Sequence, residues 1–78
     1  MKIHYKTARF TAKLNGATVR GTFTPDGTVE HFTNFLTETA RRFGMRGAGF
    51  DREVKYDWGT TIFANTNKGT MVIFLRVL

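Results

Sequence analysis

The chain contains no cysteine, so neither a disulfide framework nor a thiolate metal site is available to it, and nothing in it demands an oxidising compartment. It also lacks any apolar run long enough for a signal peptide or a bilayer span, and the opening Met1-Lys2-Ile3-His4-Tyr5-Lys6 is polar. A cytoplasmic protein away from the membrane is the expectation. Histidine is scarce: His4 and His31 stand far apart without a convincing carboxylate partner, so no metal site and no cofactor are expected. No GxxxxGK[ST] phosphate loop is present, and nothing places a histidine beside one of the many threonines to make a nucleophile. These absences point to a non-catalytic protein. Carboxylates are few as well, 6 against 12 Lys and Arg, which leaves a net charge of +6 and a pI near 10.4. That excess attracts polyanions, nucleic acid first, then an acidic protein surface or anionic lipid.

What the chain does have is 8 Phe, 1 Trp and 2 Tyr in 78 residues, enough rings to fill a thin core in one domain covering residues 1–78. Val29, Phe32, Phe35, Leu36, Ala40 and Phe43 recur at steps of three and four and predict one helix over residues 28–43. Asp26 or Thr28 can cap its start, Glu30 suits the first turn, Arg41 and Arg42 suit the last, and Gly44 is the expected left-handed terminator. The following Gly44-Met45-Arg46-Gly47-Ala48-Gly49 is too rich in glycine for regular structure and is expected to be a mobile loop.

On either side the pattern has period two. Asn15-Gly16 is the dipeptide of a two-residue type I′ turn, and it sets Leu14 opposite Ala17, Ala12 opposite Val19, Phe10 opposite Gly21 and Ala8 opposite Phe23, all apolar residues on one face. Ile3 and Tyr5 are out of phase with these, which predicts a bulge or bend near Lys6-Thr7. Thr66-Asn67-Lys68-Gly69 predicts a second hairpin, with Ala64 opposite Met71, Ile62 opposite Ile73, Thr60 opposite Leu75 and Trp58 opposite Val77. Val54 and Tyr56 continue that helix-facing side. The predicted fold is α+β: a two-layer ββαββ domain with one helix on a four-stranded mixed or antiparallel sheet, its first and last strands central and parallel. This arrangement resembles the β-grasp topology of small immunoglobulin-binding and ubiquitin-like domains. The resemblance is one of topology alone and implies no function.

In these registers Phe63, Val72, Phe74 and Leu78 point away from the helix, beside Arg9, Lys13, Arg20, Lys55 and Arg76. Rings interleaved with cations suit single-stranded nucleic acid, and they equally suit a protein partner or a homodimer through the open sheet face. A second candidate is the cluster of Arg41, Arg42, Arg46 and Arg52 around the glycine-rich loop, since guanidiniums make forked contacts with phosphate or carboxylate. Gly44-Met45-Arg46-Gly47 has the GxxG spacing of KH domains, but a strand pattern follows it where those domains have a helix. Pro25-Asp26 and Glu53-Val54-Lys55 resemble the PD and ExK elements of Mg-dependent nucleases. Against that, a helix separates the two parts, Asp26 is explained as a cap, and Glu53 and Lys55 are expected on the open face. The sequence thus predicts a binding module that engages nucleic acid or a nucleic-acid-handling complex. The alternative is a stoichiometric inhibitor or adaptor which, in size and style, resembles phage or mobile-element proteins such as anti-CRISPRs.

Overall fold

A computed structural model describes residues 7–77, so the expectations for Ile3, Tyr5, the Lys6 bend, His4 and Leu78 lie outside the described residues. Strands β1 (Ala8–Leu14) and β2 (Ala17–Phe23) precede helix α1 (Val29–Arg42). Strands β3 (Gly49–Tyr56), β4 (Gly59–Thr66) and β5 (Gly69–Val77) follow it. They form one five-stranded sheet in the order β2-β1-β5-β4-β3, in which every neighbouring pair is antiparallel.

The four-stranded ββαββ expectation is therefore wrong by one strand, and with it the β-grasp likeness. Asp57 and Trp58 make a two-residue turn that closes with Tyr56 opposite Gly59. Val54, Tyr56, Trp58, Thr60, Ile62 and Ala64 alternate without interruption in the sequence, so the reversal leaves no gap in the period-two pattern. The extra reversal has two consequences. It turns β5 around, so β1 and β5 are central neighbours as expected but antiparallel, and no parallel crossover exists. It also exchanges faces along β3. Val54 pairs with Thr61 and Lys55 with Thr60, which sends Val54 and Tyr56 to the open face and Glu53 and Lys55 to the helix side. A register shift between Phe50 and Arg52 then brings Phe50 back under the helix, its ring 5.8 Å from that of Phe32.

Both hairpin registers derived from turn chemistry are present: Leu14 faces Ala17, Phe10 faces Gly21, Ala64 faces Met71 and Ile62 faces Ile73. Trp58, expected opposite Val77, lies in the turn instead. The helix-side faces of β1, β4 and β5 and residues Phe35, Leu36 and Ala40 of α1 form the core. Leu36, Ile62, Met71 and Ile73 are almost fully enclosed, a burial that stabilises by about 1.5–3 kcal/mol per side chain. Phe35 is the centre of the packing, stacked on Phe23 at 4.0 Å and met edge-on by Phe10 at 5.0 Å. Phe10 in turn lies over Gly21, where a Cβ would be only 2.8 Å from its Cε2. Val29, the first helical residue, is exposed, so the buried stripe begins at Phe32.

The helix ends are built from local sequence. Thr28 is the N-cap, its Oγ1 accepting from the His31 N–H at 3.1 Å. Asp26 braces the cap, accepting from the Thr28 hydroxyl at 2.7 Å and from the Thr28 N–H at 2.9 Å. At the far end Gly44 has φ +82°, with its N–H donating to the Arg41 carbonyl and the Met45 N–H to the Ala40 carbonyl, a Schellman motif. Met45 and Ala48 of the glycine-rich segment pack against the core.

Candidate functional site

Cross-strand register places the open-face side chains in rows. Arg20, Thr11, Phe74, Thr61 and Val54 form one row across all five strands, and Thr18, Lys13, Val72, Phe63 and Arg52 the next. Towards the end that carries the Asp57-Trp58 turn, Thr22, Arg9 and Arg76 form a third. Arg9, Lys13, Arg20, Arg52 and Arg76 thus stand on one surface, all of them exposed. Among the acidic side chains, Asp26, Glu30 and Glu38 go with the helix and Glu53 faces the helix side of β3, while Asp51 sits at the bulge and Asp57 in the turn. Among the described residues Arg41 pairs with Glu38 at 3.0 Å and the His31 ring lies 4.0 Å from the Asp26 carboxylate, and neither contact involves a cation of this surface. Arg9 and Arg76 face each other directly in register, an arrangement of like charges that costs stability.

Aromatic rings are set among these cations. Trp58 projects from the turn and stacks on Tyr56, centroids 5.2 Å apart and planes 8° from parallel, while Phe74 lies 6.4 Å from Trp58 and tilted by 42°. All three rings are substantially exposed. Trp58 and Phe74 wall a hollow of about 380 Å³ whose remaining lining is Arg9, Thr11 and Arg76. At the other end of the face the Arg52 guanidinium lies 4.2 Å over the Phe63 ring, a cation–π contact that covers a ring expected to be free.

Of the residues singled out in the sequence, Arg9, Lys13, Arg20, Phe63, Phe74 and Arg76 lie together on the open face. Arg52, expected in the loop cluster, joins them from β3. Lys55 does not, for the face exchange described above. The arginine cluster is dispersed. Arg41 pairs with Glu38, and Arg42 donates to the Arg20 carbonyl at 3.3 Å, which ties the helix end to β2. Arg46 is exposed in the loop. Tyr56 and Trp58 are the site residues the sequence reading missed. The available signal was Gly59, which has φ +151° and where a Cβ would run into the Leu75 carbonyl oxygen, a place for glycine at a turn rather than in mid-strand.

On the helix side, adjoining hollows of about 330 and 240 Å³ are lined by Phe23, Pro25, Phe32, Glu53 and other largely apolar residues. Their lining holds the Glu53 carboxylate and the His31 imidazole but no Lys or Arg, so they do not suit a polyanion. The nuclease-like elements fare as follows. The Asp26 Oδ1 is engaged by Thr28, and Glu53 and Lys55 face the helix side rather than the open face. No group of three His, Cys, Asp or Glu side chains among the described residues is placed to hold a metal ion. Hydrogen bonding holds the Asp26 carboxyl below its ordinary pKa, first from the Thr28 hydroxyl and then from the Thr28 N–H, with a smaller contribution from His31.

The molecule is thus a small α+β domain with one face of an antiparallel sheet covered by a helix and the other open, basic and aromatic. No family model matches the chain, and no curated protein and no solved structure is significantly similar to it. No helix among the described residues is long and apolar enough to cross a membrane.

Proposed function

We propose that this protein is a non-catalytic binding module of the cytoplasm that engages single-stranded nucleic acid across the open face of its sheet. The observation that carries the reading is the gathering of charge and rings: five exposed cations and three exposed aromatics on one surface, with Asp26, Glu30, Glu38 and Glu53 on the helix side. Bases stack on Trp58, Tyr56 and Phe74, each worth about 1–3 kcal/mol, and phosphates meet Arg9, Lys13, Arg20 and Arg76.

Trp58 is the only tryptophan, so its fluorescence reports this face directly. Titration with short single-stranded DNA and RNA is expected to quench it, with log K falling linearly in log salt by about 0.7 per phosphate contacted. Arg9→Gln should flatten that slope by about one contact. Binding without salt dependence, or with an unchanged slope in the variant, defeats the reading.

A second reading is favoured by the make-up of the same surface. Trp, Tyr and Arg are the residues that dominate protein–protein hot spots, and here Trp58 and two arginines line one hollow while Tyr56 stacks on Trp58. The partner would be an acidic protein surface, and the role that of an inhibitor or adaptor of phage or mobile-element type acting on a nucleoprotein complex. Affinity capture separates the two: retention of a defined protein after nuclease treatment and at raised salt, lost in Phe74→Ala, selects the protein target.

A further inference from the structure

We infer that the hollow between Arg9 and Arg76 seats a phosphomonoester, the terminal phosphate of a nucleic-acid strand, with the terminal base against Trp58 and Phe74. The inference rests on the nucleic-acid reading and adds to it which part of the ligand goes where. Three features of the hollow distinguish it from the rest of the open face.

The first is charge density. Elsewhere on the face each cation stands beside neutral neighbours in its row, whereas Arg9 and Arg76 are directly opposed across β1 and β5. An internal phosphodiester carries one negative charge to share between two guanidiniums. A terminal phosphomonoester carries about two above its second pKa and presents three terminal oxygens, enough for both forked donors at once. The second is position. Arg9 is the second residue of β1 and Arg76 the last but one of β5, so the pair lies at one end of the sheet, the end that the Asp57-Trp58 turn closes. A strand laid along the face past Lys13, Phe63 and Val72 reaches this place last. The third is shape. The hollow of about 380 Å³ falls within the range of small-ligand sites, about 300–1,000 Å³, and is lined by Arg9 opposite Arg76, Thr11 opposite Phe74, and Trp58 from the adjoining turn. Two rings and two guanidiniums in one hollow offer a surface for a base beside donors for a charged group.

The experiment compares three short single-stranded oligonucleotides of one sequence, bearing a 5′-phosphate, a 3′-phosphate or hydroxyls only, titrated against the intact chain with Trp58 fluorescence as readout. The expected result is binding about tenfold tighter for one phosphorylated end than for the hydroxyl-ended strand, the value of one added charge-assisted contact. Which end is preferred gives the polarity of the strand on the sheet. The preference should shrink below about pH 6, where the monoester loses its second charge. It should vanish in Arg9→Gln and in Arg76→Gln, both solvent-facing and checked for intact fold by circular dichroism. Arg20→Gln, two strands from Arg76, should weaken all three oligonucleotides equally and preserve the ratio. Equal affinity for all three strands, or a preference that survives both hollow variants, overturns the inference while leaving nucleic-acid binding in place. If no oligonucleotide quenches Trp58, the nucleic-acid reading fails and the inference fails with it.

Discussion

The two edges of the sheet are protected against strand addition by different means. On β3 the protection is local: the register shift between Phe50 and Arg52 breaks the ladder, and Asp51, Arg52, Glu53 and Lys55 put charge along the strand. On β2 the strand is regular, without proline or bulge, and its one charged side chain is Arg20. Its protection comes from outside, from the Arg42 guanidinium at the end of the helix, which occupies the Arg20 carbonyl. One edge is blunted by its own backbone and stays so whatever the rest of the molecule does. The other is blunted only while the helix is docked.

Substitutions in the two hairpins can break this contrast or sharpen it. The largest effect is expected at the β3–β4 turn. Gly59→Ala forces a Cβ into the Leu75 backbone at a φ few side chains adopt, and should cost about 3 kcal/mol or more in a urea melt. Next comes Gly21→Ala in β2, where the new methyl meets the Phe10 ring while that ring is held against Phe35. A loss of about 1–3 kcal/mol is expected from overpacking, and a variant as stable as the parent would mean the ring can turn aside freely.

Arg42→Ala should cost less, about 0.5–1 kcal/mol for one exposed hydrogen bond. Its sharper consequence is at the edge, since the variant should self-associate with rising concentration in sedimentation or light scattering, whereas Lys55→Ala on β3 should stay monodisperse. If neither variant associates, the β2 edge does not depend on the helix. The smallest effect is in acid. Because hydrogen bonds lower the folded-state pKa of Asp26, its contribution is fully present above the ordinary value of 3.8 and disappears as the pH falls through the lowered value. Asp26→Asn should therefore melt lower than the parent near neutrality, the gap closing in strong acid.

Turn dipeptides and side-chain parity made much of this fold legible. Asn15-Gly16 sets the register of the first hairpin, Thr66-Asn67-Lys68-Gly69 that of the last, and Gly44 marks the helix end, each through chemistry confined to a few neighbours. The turn at Asp57-Trp58 was hidden because Trp58 has the character of a strand residue and keeps the alternation going through the reversal. That single turn carried with it the strand count, the direction of β5 and the faces of Val54, Lys55 and Tyr56. The candidate site shows the same division. Arg9, Lys13, Arg20, Phe74 and Arg76 follow from registers the sequence specifies. Trp58 and Tyr56 could not follow without the hidden turn, and the attachment of Arg42 to a carbonyl 22 positions away leaves no mark on local pattern.

Strand order also has a consequence in time. β5 follows the other four described strands in the chain and is the one among them that joins β1 to β4, since Ala8 pairs with Val77 and Thr60 with Leu75. Until it is made, the first hairpin with its helix and the β3–β4 hairpin share no ladder, and Phe10, Leu36 and Ile62 have no common interior. The pairing of β1 with β5 closes a loop that contains the helix and the three strands between them, a non-local contact of the kind that slows folding.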